Sequence, residues 1–197
     1  MIILIDNGHG QNTPGKCSPD HTYYEWAYTR EIARLLQAEL TARGLDARLL
    51  VPETTDISLT ERARRANQIC AIHGTANVIL ISLHTNAAGN GQWMKARGWS
   101  AYTSPGNTKA DRLAEALYTQ AINHLPAGTL IRTDLTDGDR DYEARFTILT
   151  ATRCPAVLTE NLFHDNRDDL AYLKSPAGKR AITLLHADAI TDYIRSL

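Results

Sequence analysis

The chain has 197 residues, of which 43% are hydrophobic and 22% charged; that is enough apolar material for one well-buried domain and too short for two of ordinary size. Its 21 basic and 22 acidic residues leave a formal net charge of -1, which argues against a nucleic-acid or anionic-membrane partner, and no apolar run approaches the roughly 20 residues of a membrane span. Cys17, Cys70 and Cys154 form neither a CxxC metal pattern nor a disulfide framework, so reduced thiols are expected, Cys70 on a helix and Cys154 beside a strand.

Ile2-Ile-Leu-Ile5 reads as a strand buried on both faces, and Asp6-Asn-Gly8 ends it in a turn. His9 therefore stands just past the carboxyl end of a strand, where ligands bind in open α/β sheets. Gln11 to His21 is loop-like. Ala27, Ile32, Leu35, Leu36 and Leu40 recur at helical spacing and Gly44 supplies a stop, predicting a helix over Glu25 to Arg43. A short strand at Ala47 to Val51 ends at Pro52. Ser58-Leu-Thr-Glu61 has the form of a capping box opening a helix to Ile72. The basic group Arg62-Ala-Arg64-Arg65 fits that helix's solvated face.

Val78 to Leu83 repeats the opening logic, a buried run that delivers His84. Ala87 to Arg97 is a loop carrying Trp93, and Gly98 to Thr103 alternates like a strand. A helix follows Thr108 and closes near Leu125-Pro126. Gly128 to Tyr142 is an acidic, solvated loop with room for a short strand at Thr129 to Ile131. Phe146 to Leu149 and Ala156 to Thr159 read as two more strands, the second delivering Glu160. Asp165 is a cap for a short helix to Leu173, and Ser175-Pro176 starts the last helix. Strands alternating with helices and joined by short connections predict a single α/β domain over residues 1–197: a mostly parallel twisted sheet of about six strands, with helices on both faces.

Three strands thus deliver His9, His84 and Glu160 to one sheet edge, and Glu25 begins the helix after the first loop. Two imidazoles and a carboxylate are a three-ligand set for catalytic zinc, and a further carboxylate outside the set suits proton transfer, the role expected of Glu160. His21 competes with Glu25 for the third ligand position, and His164 is a candidate for a group behind the ligands. His73, His124 and His186 are expected in helix ends or loops away from the rim. Asn86, Trp93 and Trp99 are candidates for substrate contact, since aromatic rings near a catalytic rim stack on sugar or peptide.

At these residues the chain resembles the zinc-dependent N-acetylmuramoyl-L-alanine amidases of the amidase-3 family, which includes bacterial autolysins and phage endolysins. The resemblance rests on Ile5-Asp-Asn-Gly-His-Gly10, Glu25 leading a helix, Ser58-Leu-Thr-Glu-Arg-Ala63 with Ala66-Asn67, Ser82-Leu-His-Thr-Asn86, Ala110-Asp-Arg-Leu-Ala114, and Cys154-Pro-Ala-Val-Leu-Thr-Glu160 with Phe163 and Asn166. It implies one zinc ion per chain held by His9, Glu25 and His84, with Glu160 as the catalytic glutamate. The contest between His21 and Glu25 is thereby decided for Glu25.

The implied reaction is hydrolysis of the amide between the lactyl group of N-acetylmuramic acid and the L-alanine of the stem peptide, with peptidoglycan as substrate. Asn7 stands where the family usually has proline, and Asn161-Leu162 where it often has Thr-Gly; neither removes a ligand. A different zinc amide hydrolase, such as a peptidase or deacetylase, or a catalytically silent wall-binding module, would also fit the pattern. The expectation is a monomer acting on the cell wall, in the periplasm or outside the cell. The chain as given shows no secretion signal, so the expected route is cytoplasmic synthesis and release in the manner of a phage endolysin.

Overall fold

The computed structural model describes residues 1–197. Strands β1 (Ile2–Asn7), β2 (Asp46–Leu49), β3 (Val78–Asn86), β4 (Ser100–Thr103), β5 (Tyr142–Glu143) and β6 (Ala156–Phe163) form one sheet in the order β2-β1-β3-β6-β4-β5. The first four in that order run parallel, and β4 joins β6 antiparallel. The helices are α1 (Glu25–Ala42), α2 (Leu59–His73), α3 (Lys109–His124), α4 (Thr147–Thr150), α5 (Arg167–Lys174) and α6 (Pro176–Arg195). From β1 the chain passes to β2 on one side, and β3 then returns to β1's other side. This reversal makes a crevice between the carboxyl ends of β1 and β3, the switch point where open α/β sheets place ligands.

Alternation along the strands sorts side chains between two layers. Ile3, Ile5, Ile79, Ile81 and Val157 face the larger core with residues of α1, α3, α5 and α6. Ile2, Leu4, Val78, Leu80, Ala156 and Leu158 face the smaller one, covered by α2 and α4. The register aligns this second set in rows: Leu4 with Leu80 and Ala156, then Asp6 with Ser82 and Leu158, then His84 with Glu160. The face is therefore apolar at the amino ends of the strands and ionisable at the carboxyl ends. Strand pairing by itself carries His84 and Glu160 to neighbouring positions.

Several elements depart from expectation. Phe146 to Leu149 is not a strand: Leu149 and Thr150 donate their amides to the Phe146 carbonyl, and Ile148 and Leu149 turn into the smaller core as a single helical turn. A short apolar run has no periodicity with which to tell these outcomes apart. Thr129 to Ile131 makes one isolated bridge to Trp99 and no strand, whereas Tyr142–Glu143 pairs with β4. Ser58 caps α2 through the Glu61 amide, but the Glu61 carboxylate turns to Arg64 and Arg65, so the box is half made. The reciprocal box belongs to Thr108 and Asp111 at α3, and Asn166, rather than Asp165, caps α5. The acidic loop is not wholly solvated, since Asp141 is buried and accepts a hydrogen bond from Thr103. Cys70 and Cys154 are both buried in the smaller core and all three thiols are free.

Candidate metal centre

His9 lies in the turn after β1 with φ of 60°, a left-handed conformation that a histidine adopts at some cost. Both flanking glycines are required by close approach. A Cβ on Gly8 would fall 2.4 Å from Cε1 of His84, and one on Gly10 would fall 2.0 Å from the Asp56 amide nitrogen. The turn is pinned from below by Arg62, whose guanidinium donates to Asp6 Oδ1 (2.7 Å), the Asn7 carbonyl (2.6 Å), the His9 carbonyl (3.2 Å) and Asp56 Oδ1 (3.0 Å). Arg62 is fully buried, so it does not belong to a solvated helix face as expected. Its spacing with Ala66 and Cys70, both buried, was the sign that it lies on the inward stripe of α2.

Glu25 opens α1, where a carboxylate is favoured by the helix dipole, and is buried. One oxygen, Oε1, accepts the Thr85 amide at 3.0 Å and lies 3.0 Å from His84 Nδ1; Oε2 lies 3.3 Å from His9 Nε2. The two imidazoles meet edge to face with centroids 5.0 Å apart. Ligand atoms from His9, Glu25 and His84 thus all fall within 4.8 Å of one another, the one such set at the crevice. Two imidazole nitrogens and a carboxylate oxygen, gathered this closely and fixed from behind, fit a divalent transition-metal ion.

Electrostatics among these side chains are strongly coupled. Burial pushes the Glu25 carboxyl up, but hydrogen bonding and charge from His84, the charge of His9 and the Thr85 amide outweigh it and hold it at about 2. Burial lowers His9 to about 4 against the pull of Glu25. His84 is also opposed by burial, yet its hydrogen bond to Glu25 leaves it above the ordinary imidazole value. Glu160 is pushed up to about 7, first by burial and then by Glu25, with His84 opposing. Its Oε2 is buried and has no hydrogen-bond partner. A buried carboxyl oxygen left without a partner beside a ligand set is available to a reacting group.

His9, His84 and Glu160 line a cleft of about 630 Å³, which also receives Lys16, Asp56, Ile57 and Leu59, and Arg145 and Phe146 from the segment entering α4. None of these latter residues was marked by the sequence as a site residue. Phe146 reads as part of a strand in the sequence, and a lysine in a polar loop carries no signal of its own. Asn86, Trp93 and Trp99 are absent from this lining. Trp99 is fully buried, stacked edge to face on Tyr118, and so has no surface for substrate. Instead its indole donates to Asn161, which donates in turn to the His84 carbonyl, so it steadies β3 from behind. Trp93 is half-buried with the Arg167 guanidinium 4.2 Å above its ring, and Asn86 accepts the amide of Ala87.

The other histidines lie outside the set. His164 stands behind Thr85, at 3.0 Å from its hydroxyl, and stacks on Tyr23. His21 is exposed and meets Cys17 at 3.3 Å. His73 and His124 close α2 and α3, His124 against Asp188. His186 is not at a helix end: it is fully buried within α6, between the Thr159 hydroxyl and the Ile182 carbonyl.

Comparison with known proteins identifies the family. A family model described as N-acetylmuramoyl-L-alanine amidase matches residues 3–192. N-acetylmuramoyl-L-alanine amidase CwlM of Bacillus licheniformis is 30% identical over 191 residues, covering 95% of this chain and 66% of the relative. The endolysin of Bacillus phage SPP1 is 26% identical over 197 residues, with 98% and 66% covered. The chain therefore spans just under two thirds of the length of these curated relatives. Among solved structures, N-acetylmuramoyl-L-alanine amidase AmiC2 of Nostoc punctiforme shares the fold with a TM-score of 0.82 at 20% identity, over 99% of this chain and 97% of that one. On the extent of the family match, the chain belongs to the N-acetylmuramoyl-L-alanine amidase family.

Proposed function

We propose that this chain is a zinc-dependent peptidoglycan hydrolase that cleaves the amide between the lactyl group of N-acetylmuramic acid and the L-alanine of the stem peptide. The family match and the names of the relatives support the reaction class. The observation that carries the mechanism is the pairing of His84 with Glu160 across β3 and β6, which sets a partnerless buried carboxyl oxygen beside the three clustered ligands. His9, Glu25 and His84 hold the ion. Zinc, when bound, supplies Lewis acidity toward the attacking water and the amide carbonyl.

The remaining work belongs to the chain's own groups. Glu160 takes a proton from the water as it attacks the lactyl carbonyl, then returns one to the alanine nitrogen as the amide breaks. Burial raises the proton affinity of the Glu160 carboxyl, which suits it to hold the proton between the two transfers. The Thr85 amide and the Trp99–Asn161 link keep Glu25 and His84 in place while Glu160 moves the proton. We place the action at the cell wall.

Replacing Glu160 by Gln tests this. The variant is expected to retain one zinc per chain by elemental analysis, while release of new L-alanine amino termini from purified peptidoglycan falls by about 10²- to 10⁴-fold, the usual worth of a general acid–base group. Turnover near that of the parent chain would remove Glu160 from the mechanism, and intact zinc binding with no L-alanine termini from the parent chain would remove the substrate.

A further inference from the structure

The cleft beside Glu160 holds two cations without a carboxylate partner once its internal pairs are counted. Arg62 is shared between Asp6 at 2.7 Å and Asp56 at 3.0 Å, so these three leave one negative charge, and Thr13 donates a further hydrogen bond to Asp56. Against it stand Lys16, from the β1–α1 loop, and Arg145, just before α4. Both are exposed, both line the cleft, and neither side chain pairs with a carboxylate. Lys16 is close enough to exert its charge on His9 and Glu160. Glu160 is the reacting acid of the proposed function and gives these cations no fixed partner.

The walls are apolar in the same stretch. Leu59 is 51% exposed and Phe146 42% exposed, and half-buried Ile57 lines the cleft with them. Phe146 is the one phenyl, phenol or indole ring in the lining. A sugar asks for stacking faces ringed by neutral hydrogen-bonding groups. An extended peptide with a methyl side chain followed by a carboxylate asks for apolar walls beside free cations, which is what this cleft offers.

We propose that this cleft takes the peptide side of the substrate, and that Arg145 and Lys16 read a free carboxylate on the residue that follows the alanine. In stem peptides that residue is a glutamate linked through its side-chain carboxyl, so its α-carboxyl is left either free or amidated. The inference rests on the amidase reading above and adds to it a preference between two chemical forms of one substrate. Arg145 acts by planar, two-pronged hydrogen bonding to the carboxylate, and Lys16 as a point charge closer to the scissile bond.

The test is hydrolysis of two purified muropeptides that differ only in whether this α-carboxyl is free or amidated, by the zinc-loaded chain. The parent chain is expected to favour the free acid in kcat/KM. Arg145→Gln lowers that preference by about tenfold, mainly through KM for the free acid, as loss of one charge-assisted contact does. Arg145→Lys, which keeps the charge and loses the two-pronged geometry, keeps only part of the preference, the double variant K16Q/R145Q abolishes it, and Arg180→Gln, an exposed cation on α6, leaves it unchanged. Equal kcat/KM for the two substrates in the parent chain, or an unchanged ratio in Arg145→Gln, overturns the proposal while leaving the amidase reading intact. Failure of the parent chain to release L-alanine termini from either substrate overturns both.

Discussion

Replacement of Arg62 by Met should be the most damaging single change near the site that leaves His9, Glu25, His84 and Glu160 in the chain. The side chain donates five hydrogen bonds: to Ile57, Asn7 and His9 carbonyls and to the carboxylates of Asp6 and Asp56. Methionine fills much of the volume and supplies none of them. Asp6, buried, is then left with the Ser82 hydroxyl alone. Removing one member of a buried ion pair costs about 3–5 kcal/mol, because the remaining charge stays desolvated. That is a large part of the roughly 5–15 kcal/mol by which a domain is stable. Urea unfolding followed by tryptophan fluorescence measures the loss. The decisive comparison is the double variant D6N/R62M, which strands no charge and is expected to recover at least ~1 kcal/mol relative to the sum of the two single losses. The His9 carbonyl also loses its anchor, so under the proposed function affinity for added zinc is expected to fall together with stability. Additive single losses, or an Arg62→Met variant within ~1 kcal/mol of the parent, would refute the view that this pair braces the turn.

Two further outcomes follow from the structure. Gly8→Ala places a methyl carbon 2.4 Å from the His84 ring, while the backbone there is held by hydrogen bonds from its own amide to Leu83 and from Thr29 to its carbonyl. His84 must give way, so the zinc dissociation constant is expected to rise about 10- to 100-fold with far-UV circular dichroism unchanged; calorimetric titration showing parent-like affinity would contradict this. Burial lowers His186 from 6.5 to about 4. The unfolded chain therefore binds a proton below about pH 6.5 that the fold refuses until about pH 4. Stability from this residue is complete above pH 6.5 and is lost as pH falls through that window, by about 3 kcal/mol. Denaturant unfolding at pH 7 and pH 4.5 should show a smaller pH penalty in His186→Gln than in the parent, and identical penalties would rule the mechanism out.

The sheet was readable from the sequence wherever a strand is buried on both faces. Ile2 to Ile5 and Val78 to Leu83 have no polar interruption, and each runs directly into its histidine. The helices were readable because α1, α2, α3 and α6 carry apolar stripes long enough to show their period. Short elements were not. The single turn at Thr147–Thr150 and the two-residue strand Tyr142–Glu143 owe their form to what packs on them, and no local pattern records that. The clustering of His9, Glu25 and His84 was legible because strand ends and a helix start are fixed points of the fold. Trp99 was misplaced for the opposite reason, since an indole is equally at home in a core and on a rim, and only tertiary packing against Tyr118 decides. Arg62 was hidden among its basic neighbours, although its helical position pointed inward.

The register between β3 and β6 has a consequence for how this molecule tolerates insertions and deletions. Side chains alternate sides along a strand, so deleting a single residue between Val78 and His84, or between Ala156 and Glu160, would send His84 or Glu160 into the opposite layer. Lengthening the surface segments around residues 89–92 or 135–139 displaces neither, and doubling such a loop costs only about 0.6 kcal/mol in closure entropy. The chain is thus measured like a vernier: graduations along two neighbouring strands must coincide at one mark, while the slack between them is free to vary.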